Sequence, residues 1–313
     1  MDRIYVQLRR NDAARRRMPI RIRPFRSDFA WFAREPPTPK RRCDTSATEV
    51  NSHMQRFVLE KRFNTKRFLR KLHYHLLCPK VPVHPEPFKG PVLVVGSAPG
   101  SHLPEGFDDR FRVITVNGSQ SVTKRWGIPV PDVTFMQFRQ VYGMNENARE
   151  VRRVLNGERT RLLYVMRWPE SRRRLTVGLN AFNYSYDRLQ TISRYERMAL
   201  FKKATGVLNS EDDLDTKFSN GVTAVLYALT NGATCVVISG IDPASTGHVY
   251  NALELTRHHS QSDRDILLLL SARGHEIYTA DPDVAVATGL PLWTEKTLAA
   301  HLASKAATAI QIP

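Results

Sequence analysis

The sequence predicts an α/β fold with a doubly wound, mostly parallel sheet of the Rossmann-like kind, preceded by a basic N-terminal extension. From residue 91 onward, short apolar segments alternate with longer connecting segments, as in parallel sheets crossed by helices. Several of these segments end in small polar residues, and most of the excess positive charge precedes them. The segments expected to form strands are Pro91–Val95, Val113–Val116, Asp132–Met136, Leu162–Met166, Cys235–Ser239 and Ile277–Tyr278.

Charge and composition divide the 313 residues into three regions. Residues 1–90 hold 22 Lys and Arg against 8 Asp and Glu, so they carry +14 of the formal net charge of +17. Residues 1–50 lack a sustained apolar period and are expected to be a disordered basic extension. Residues 51–90 are expected to form a basic amphipathic helix and a proline-rich linker. Residues 91–313 are then expected to form one α/β domain.

The predicted helix over residues 52–78 combines an apolar stripe with a basic one. Its apolar residues are Met54, Phe57, Val58, Phe68, Leu69, Leu72 and Leu76. A basic amphipathic helix can lie on an anionic membrane surface. The alternative is that it packs on the main domain and leaves its basic face solvated. Nucleic-acid binding is not expected, because no recognised nucleic-acid-binding motif accompanies the charge.

Composition also bears on the cellular compartment. No segment approaches the roughly 20 apolar residues that cross a bilayer, and no apolar segment follows the basic N-terminus as in a secretory signal. Cys43, Cys78 and Cys235 are too few and too scattered for a disulfide framework or a metal site. We therefore expect a cytoplasmic protein that is either soluble or peripheral on the inner face of the membrane. A homo-oligomer is compatible with the sequence.

The most informative segment, residues 218–250, reads as a helix, a turn, a buried strand and a polar loop. Ser219 is a good N-cap, because its hydroxyl can accept from N–H groups of the first helical turn. Asn231-Gly232 is a typical helix stop. The apolar run Cys235–Ser239 is typical of a strand buried on both faces. The loop after it contains Asp242 and Tyr250, and carboxyl ends of strands are where open α/β sheets bind ligands.

Small polar residues follow the other predicted strands at the same end. The turn GSAPGS occupies residues 96–101, Asn117 follows the second strand and Gln137 the third. We expect these loops to meet at one crevice. The turn is not the G-x-G-x-x-G of dinucleotide-binding folds, and the chain has no Gly-Lys-Ser/Thr of a P-loop. The two Asp-x-Asp pairs, at residues 213–215 and 281–283, lie in acidic loops and do not support metal dependence.

Two adjacent histidines, His258 and His259, precede a helix start marked by Ser260 or Ser262. The partial positive charge at a helix N-terminus favours a neutral imidazole, which can take a proton from a hydroxyl. The pair is therefore a candidate general base. The alternative is that the histidines only decorate the surface; their closeness in sequence to the ligand-rich loop favours a function.

Segments in this order resemble the bacterial sialyltransferases of glycosyltransferase family 42. They are GSAPGS at 96–101, ITVNGS at 114–119, FSNGV at 218–222, GIDPASTGHVY at 240–250 and HHSQSD at 258–263. The resemblance covers roughly residues 91–285. It departs from the family pattern at Ser97 and Asn220, and Ala244 stands where a second tyrosine is expected.

The resemblance implies an inverting, metal-independent transfer of sialic acid or a related 2-keto sugar from a CMP-sugar to a glycan or glycolipid. The CMP-sugar is a substrate, so no cofactor is expected. The residues implied to contact the donor are Gly96, Ser97, Ala98, Pro99, Asn117, Gln137, Ser219, Asn220, Gly221 and Asp242. Tyr250 is implied to hydrogen-bond the leaving phosphate. Counting back from Asp263 without a gap selects His258 as the base, whereas closeness to the helix start favours His259.

Two other functions stay open at this point. One is a nucleotide-dependent pyrophosphokinase of the pterin type, which shares a similar sheet class but relies on acidic metal ligands. The other is a catalytically inactive nucleotide-binding or scaffold protein with a basic tail. The acceptor, the linkage and the choice between sialic acid and another 2-keto sugar do not follow from the sequence.

Overall fold

The computed structural model describes residues 65–166, 172–211, 216–245, 247–251 and 259–310, without the side chains of residues 305–310. The chain divides into two units, Met1–Ser52 and His53–Pro313, and every described residue belongs to the second. The predicted disordered extension over residues 1–50 therefore lies outside the described residues. The same holds for the part of the predicted helix before residue 65.

Seven parallel strands form one sheet within the described part of the chain, in the order β5-β4-β3-β2-β1-β6-β7. They are β1 Val92–Val95, β2 Arg112–Val116, β3 Val133–Gln137, β4 Arg159–Met166, β5 Ser185–Ile192, β6 Val236–Ser239 and β7 Ile277–Thr279. The strand order reverses between β1 and β6, which is where open α/β sheets form a ligand crevice. The predicted fold class, a doubly wound parallel sheet, is confirmed.

The helices cover both faces of this sheet. Residues 65–77 form α1, and the others are α2 Gln120–Arg125, α3 Phe138–Tyr142, α4 Glu146–Val154, α5 Arg172–Asn180, α6 Arg194–Thr205, α7 Asn220–Thr230, α8 Ser260–Ala272, α9 Pro282–Thr288 and α10 Glu295–Ile310. A 3-10 turn, Asn117–Ser119, follows β2. Apolar residues of α6, α7 and α8 pack on one face, and those of α2 to α5 and α10 on the other. Alternate residues of β1 and β2 accordingly enter opposite cores.

Helix α7 forms as its sequence predicts. The Ser219 hydroxyl accepts a hydrogen bond from the Val222 N–H at 3.2 Å and caps the N-terminus. The helix ends at Asn231, and Gly232 has a φ of +92°, which favours glycine. Its eleven residues are almost all buried, because they lie between the sheet and its neighbours α6 and α8. The fully buried β6 follows, so the N-terminus of α7 and the carboxyl end of β6 lie on the same side of the sheet.

Helix α1 is held to the domain by its polar and aromatic residues rather than by its leucines. The guanidinium of Arg70, which is buried, donates hydrogen bonds to the carbonyls of Ser210 and Glu211 at 2.7 and 2.6 Å. Tyr74 is also buried, and the Lys202 ammonium lies 5.6 Å from the centre of its ring. Among the described residues, no helix is both long and apolar enough to cross a bilayer.

Candidate active site

A cleft of about 280 Å³ opens at the carboxyl ends of β1, β2, β3 and β6. Its walls are Gly96, Ser97, Val116, Asn117, Gln137, Phe218, Ser219, Asn220, Gly221, Gly240, Ile241, Asp242, Pro243, His248, His259, Ser260 and Asp263. Nine of the residues predicted from sequence are among them: Gly96, Ser97, Asn117, Gln137, Ser219, Asn220, Gly221, Asp242 and His259. Loops that are far apart in the chain thus meet at one place, as expected.

Three predicted residues, Ala98, Pro99 and Tyr250, are described by the structure but do not line the cleft. Ala98 is fully buried behind the wall, where its N–H donates to the Gly240 carbonyl at 2.9 Å, and Pro99 is exposed. The ring of Tyr250 is buried against Gly118 rather than lining the cleft. His258 lies outside the described residues. The phosphate contact predicted for Tyr250 stays a prediction.

The loops after β1 and β6 are packed backbone to backbone. A Cβ atom on Gly96 would lie 2.1 Å from the Gly240 carbonyl oxygen and 2.9 Å from the Ile241 side chain. The Gly96 N–H donates to the Ser239 carbonyl at 2.7 Å. Gly240 itself has a φ of +64°, in the region that favours glycine. The close approach of the Gly240 backbone therefore requires a glycine at residue 96, and it sets the width of the cleft at this point.

A buried carboxylate, Asp281, ties these two loops together from beneath. It accepts hydrogen bonds from the backbone N–H groups of Gly240 at 2.6 Å and His102 at 2.8 Å, and from the Ser239 hydroxyl at 3.2 Å. Burial raises the pKa of Asp281, against the opposing effect of the hydrogen bonds from Gly240 and His102. Sequence reasoning set Asp281 aside as part of a chance Asp-x-Asp pair. Its role depends on contacts across 41 and 179 residues of chain.

Replacing Asp281 by alanine is expected to lower the free energy of unfolding by about 2–3 kcal/mol, because buried N–H donors lose their acceptor. Asp283→Ala is the matched control, since that carboxylate is exposed in the first turn of α9. Urea unfolding of both variants measures the difference. Equal stability of the two variants would show that Asp281 does not hold the loops.

Three amide side chains form a connected group on the β2–β3 side of the cleft. The Asn117 side-chain oxygen accepts from the Gln137 N–H at 3.2 Å and from the Asn220 amide at 3.4 Å. The Gln137 amide in turn donates to the Asn220 oxygen at 3.5 Å. Asn117 has a φ of +52°, which is uncommon for a residue other than glycine and frequent at functional sites. The group links β2, β3 and α7 into one wall.

Helices α7 and α8 begin next to each other in the cleft. The Asp263 carboxylate, in the first turn of α8, accepts from the Ser219 N–H at 2.8 Å. The Asp263 N–H donates to the His259 carbonyl at 2.8 Å, and His259 occupies the cap position immediately before Ser260. The imidazole of His259 is thereby placed at the N-terminus of α8, on the cleft wall. A proton acceptor at this position can serve an acceptor hydroxyl that enters the cleft.

His248 is a wall residue to which sequence reasoning gave no role. Its Nδ1 atom lies 2.7 Å from the Ser97 hydroxyl oxygen, and its ring stacks on the Tyr250 ring with centroids 5.2 Å apart and planes within 7°. The Val249 N–H donates to the Ser97 carbonyl at 2.8 Å. The only signal in the sequence was its place in the ligand-rich loop at residues 247–250. Its pairing with Ser97 spans 151 residues.

Four side chains of types that can ligate metals line the cleft: Asp242, His248, His259 and Asp263. Across the described ranges, no cluster of three or more His, Cys, Asp or Glu residues is arranged to hold a metal ion. The carboxylates of Asp242 and Asp263 each accept a hydrogen bond from a backbone N–H group, from Ala244 and Ser219 respectively, both at 2.8 Å. The first bond lies within the loop after β6, and the second joins the N-termini of α7 and α8.

No protein-family model and no curated protein matches the sequence. Solved structures do match. The monofunctional α-2,3-sialyltransferase Cst-I from Campylobacter jejuni is 15% identical, with a TM-score of 0.46 over 69% of this chain and 83% of that chain. The sialyltransferase CstII from the same organism, in complex with the substrate analogue CMP-3FNeuAc, is 14% identical with a TM-score of 0.43, over 66% and 86% of the two chains.

A third match, an α-2,3-sialyltransferase from Campylobacter jejuni in apo form, is 18% identical with a TM-score of 0.41, over 66% of this chain and 80% of that chain. The matched structures are sialyltransferases, the class of protein that the sequence motifs resemble. The function proposed below rests on the residues of the cleft, because sequence identities and TM-scores this low carry no argument about function.

Proposed function

We propose that this protein is a glycosyltransferase that moves sialic acid, or a related 2-keto sugar, from a CMP-sugar donor to a glycan or glycolipid acceptor. The observation that carries the proposal is the convergence on one cleft of nine residues predicted from the sequence, the His259 imidazole among them. A site of this kind offers backbone N–H groups, amides and an imidazole, which suits an anionic donor and a hydroxyl acceptor.

The donor is expected to lie across the ends of β1, β2 and β6. Both the phosphate and the sugar carboxylate of a CMP-sugar are anions. Asn220 and Gly221, the first two residues of α7, line the cleft, and the N-terminus of a helix favours anions. The side-chain amides of Asn117 and Gln137 also line the cleft, and they can donate hydrogen bonds to, and accept them from, the polar edges of the nucleotide. Gly96 and Ser97 line the remaining wall.

The reaction is a single displacement with inversion at the anomeric carbon. The bond from that carbon to the phosphate oxygen breaks, and its electron pair leaves with CMP. The acceptor oxygen forms the new bond, and its proton passes to the His259 imidazole, which acts as general base. The protein needs to supply stabilisation of the leaving phosphate and one proton acceptor, so we expect no metal cofactor.

A panel of nucleotides tests this proposal without an acceptor. CMP at 100 times its Kd should raise the free energy of unfolding by about 2.7 kcal/mol, which corresponds to roughly 5–10 °C in Tm for a domain of this size. Protection by CMP, and not by ATP with magnesium, is expected in thermal unfolding. Protection by ATP with magnesium alone would favour a pyrophosphokinase, and protection by neither would favour an inactive scaffold.

We also propose that α1 lies on an anionic membrane surface. Phe68, Leu69, Leu72 and Leu76 fall on one face of the helix, and each is at least 43% exposed. Lys66 and Lys71 are exposed on the same helix. An apolar stripe beside basic residues suits an interface with anionic lipids.

The double variant Phe68→Glu/Leu72→Glu should bind phosphatidylserine vesicles at least 10-fold more weakly, because two side chains lose their burial in lipid. Cosedimentation with vesicles measures the effect. Val286→Glu is the control, because Val286 is an apolar residue that is 89% exposed on a different helix, α9. Point changes are preferred to deletion of residues 52–78, since Arg70 and Tyr74 anchor α1 to the domain. Unchanged binding by the double variant would exclude α1 as the lipid contact.

A further inference from the structure

We propose that His248 is a catalytic residue whose imidazole donates a hydrogen bond from Nε2 to the leaving phosphate of the donor. The inference rests on the proposed function and names a second imidazole in its chemistry. It assigns His248 to the departing group, on the side of the cleft formed by the loops after β1 and β6. The His259 imidazole is thereby left to the acceptor.

The ring of His248 is fixed in two directions. The hydroxyl oxygen of Ser97, a residue that is 9% exposed, lies 2.7 Å from the Nδ1 atom. The Tyr250 ring covers one face of the imidazole in a nearly parallel stack. Side chains whose position is set by packing and a hydrogen bond need little reorganisation when charge develops, which is what stabilisation of a leaving group requires.

The stack itself stands on the loop after β2. A Cβ atom on Gly118 would lie 2.7–3.0 Å from atoms of the Tyr250 ring, so the ring packs directly against that backbone. On the other side, the Val249 N–H is bonded to the Ser97 carbonyl. The imidazole is therefore held by the loops after β1, β2 and β6 together, at the point where the strand order reverses. This is where we expect the nucleotide phosphate.

The Ser97 hydroxyl meets Nδ1, and Nε2 is the atom that we assign to the phosphate. As the bond from the anomeric carbon to the phosphate oxygen breaks, the electron pair moves onto that oxygen and the phosphate gains one negative charge. The Nε2–H hydrogen bond strengthens with that charge, which lowers the barrier. The acceptor proton still passes to His259, so no oxidant, reductant or further reactant is needed.

The test compares binding of CMP with binding of cytidine, which lacks the phosphate, by calorimetry of the full chain. The wild type should bind CMP more tightly than cytidine. His248→Ala should lower affinity for CMP about 10-fold to 100-fold, the size of a lost charge-assisted hydrogen bond, and leave affinity for cytidine unchanged. His248→Gln, which keeps a neutral donor and fills similar space, should lie between them.

The other outcomes overturn the inference in distinguishable ways. Unchanged CMP affinity in both variants would show that His248 does not contact the phosphate, while the proposed function would stand. An equal loss for CMP and cytidine would show that His248 only supports the fold of the cleft. Failure of the wild type to bind CMP at all would contradict the proposed function itself, and the inference with it.

Discussion

Replacement of His259 by alanine is expected to lower turnover with CMP-sialic acid by about 10²–10⁴-fold, the usual effect of losing a general base. The imidazole lines the cleft at the N-terminus of α8, where it is placed to accept the proton of a hydroxyl that enters the cleft. Affinity for CMP should barely change, because this imidazole is assigned to the acceptor. Steady-state kinetics and CMP calorimetry on the same preparation measure both quantities.

His258→Ala is the matched control, since it removes an imidazole from the neighbouring position. The sequence left the choice between the two histidines open, and the placement of His259 on the cleft wall favours His259. The single variants should therefore differ strongly in turnover. If the variant lacking both imidazoles turns over as fast as the wild type, neither histidine is the base and the proposed mechanism is wrong.

The second large effect is expected at Gly96. The Gly96→Ala variant should lose about 3 kcal/mol of unfolding free energy, the upper end for overpacking of a core. A methyl group there would lie 2.1 Å from a backbone carbonyl oxygen, which no side-chain rotation can relieve. The loops after β1 and β6 must move apart, so CMP affinity should also fall at least 10-fold. Urea unfolding and calorimetry measure the two effects.

Gly247→Ala provides a matched control in the opposite loop. A Cβ atom on Gly247 would meet Pro99 at 3.5 Å, which is an ordinary van der Waals contact. This variant should therefore unfold at nearly the wild-type urea concentration. Wild-type stability of Gly96→Ala would show that the loops can open without cost, which would remove the close backbone approach as the feature that shapes the cleft.

The buried strands could be predicted because their sequences leave little choice. The four residues of β1 and of β6 are fully buried, and continuous apolar runs of that length are typical of central parallel strands. Strand β5 was not predicted, because its sequence SYDRLQTI is mostly polar and has no continuous apolar run. Most of its residues are exposed, since the strand lies at the edge of the sheet. Pairing with β4, and not its own composition, makes it a strand.

The residues of the site likewise fall into those that could be predicted from the sequence and those that could not. Residues that follow strands, such as Asn117 and Asp242, could be predicted because a parallel sheet brings its carboxyl ends together. His248 and Asp281 could not be given roles, because their partners Ser97, Gly240 and His102 come from distant parts of the chain. Only the three-dimensional packing of the loops reveals such pairs.

Release of CMP from CMP-sialic acid by the purified protein tests the central claim most directly. The account predicts slow hydrolysis without an acceptor, because water can take the place of the acceptor hydroxyl in the cleft, and a fall of about 10²–10⁴-fold in that rate in His259→Ala. Wild-type hydrolysis that equals the uncatalysed rate, in a protein that binds neither CMP nor the CMP-sugar, would contradict the proposed function.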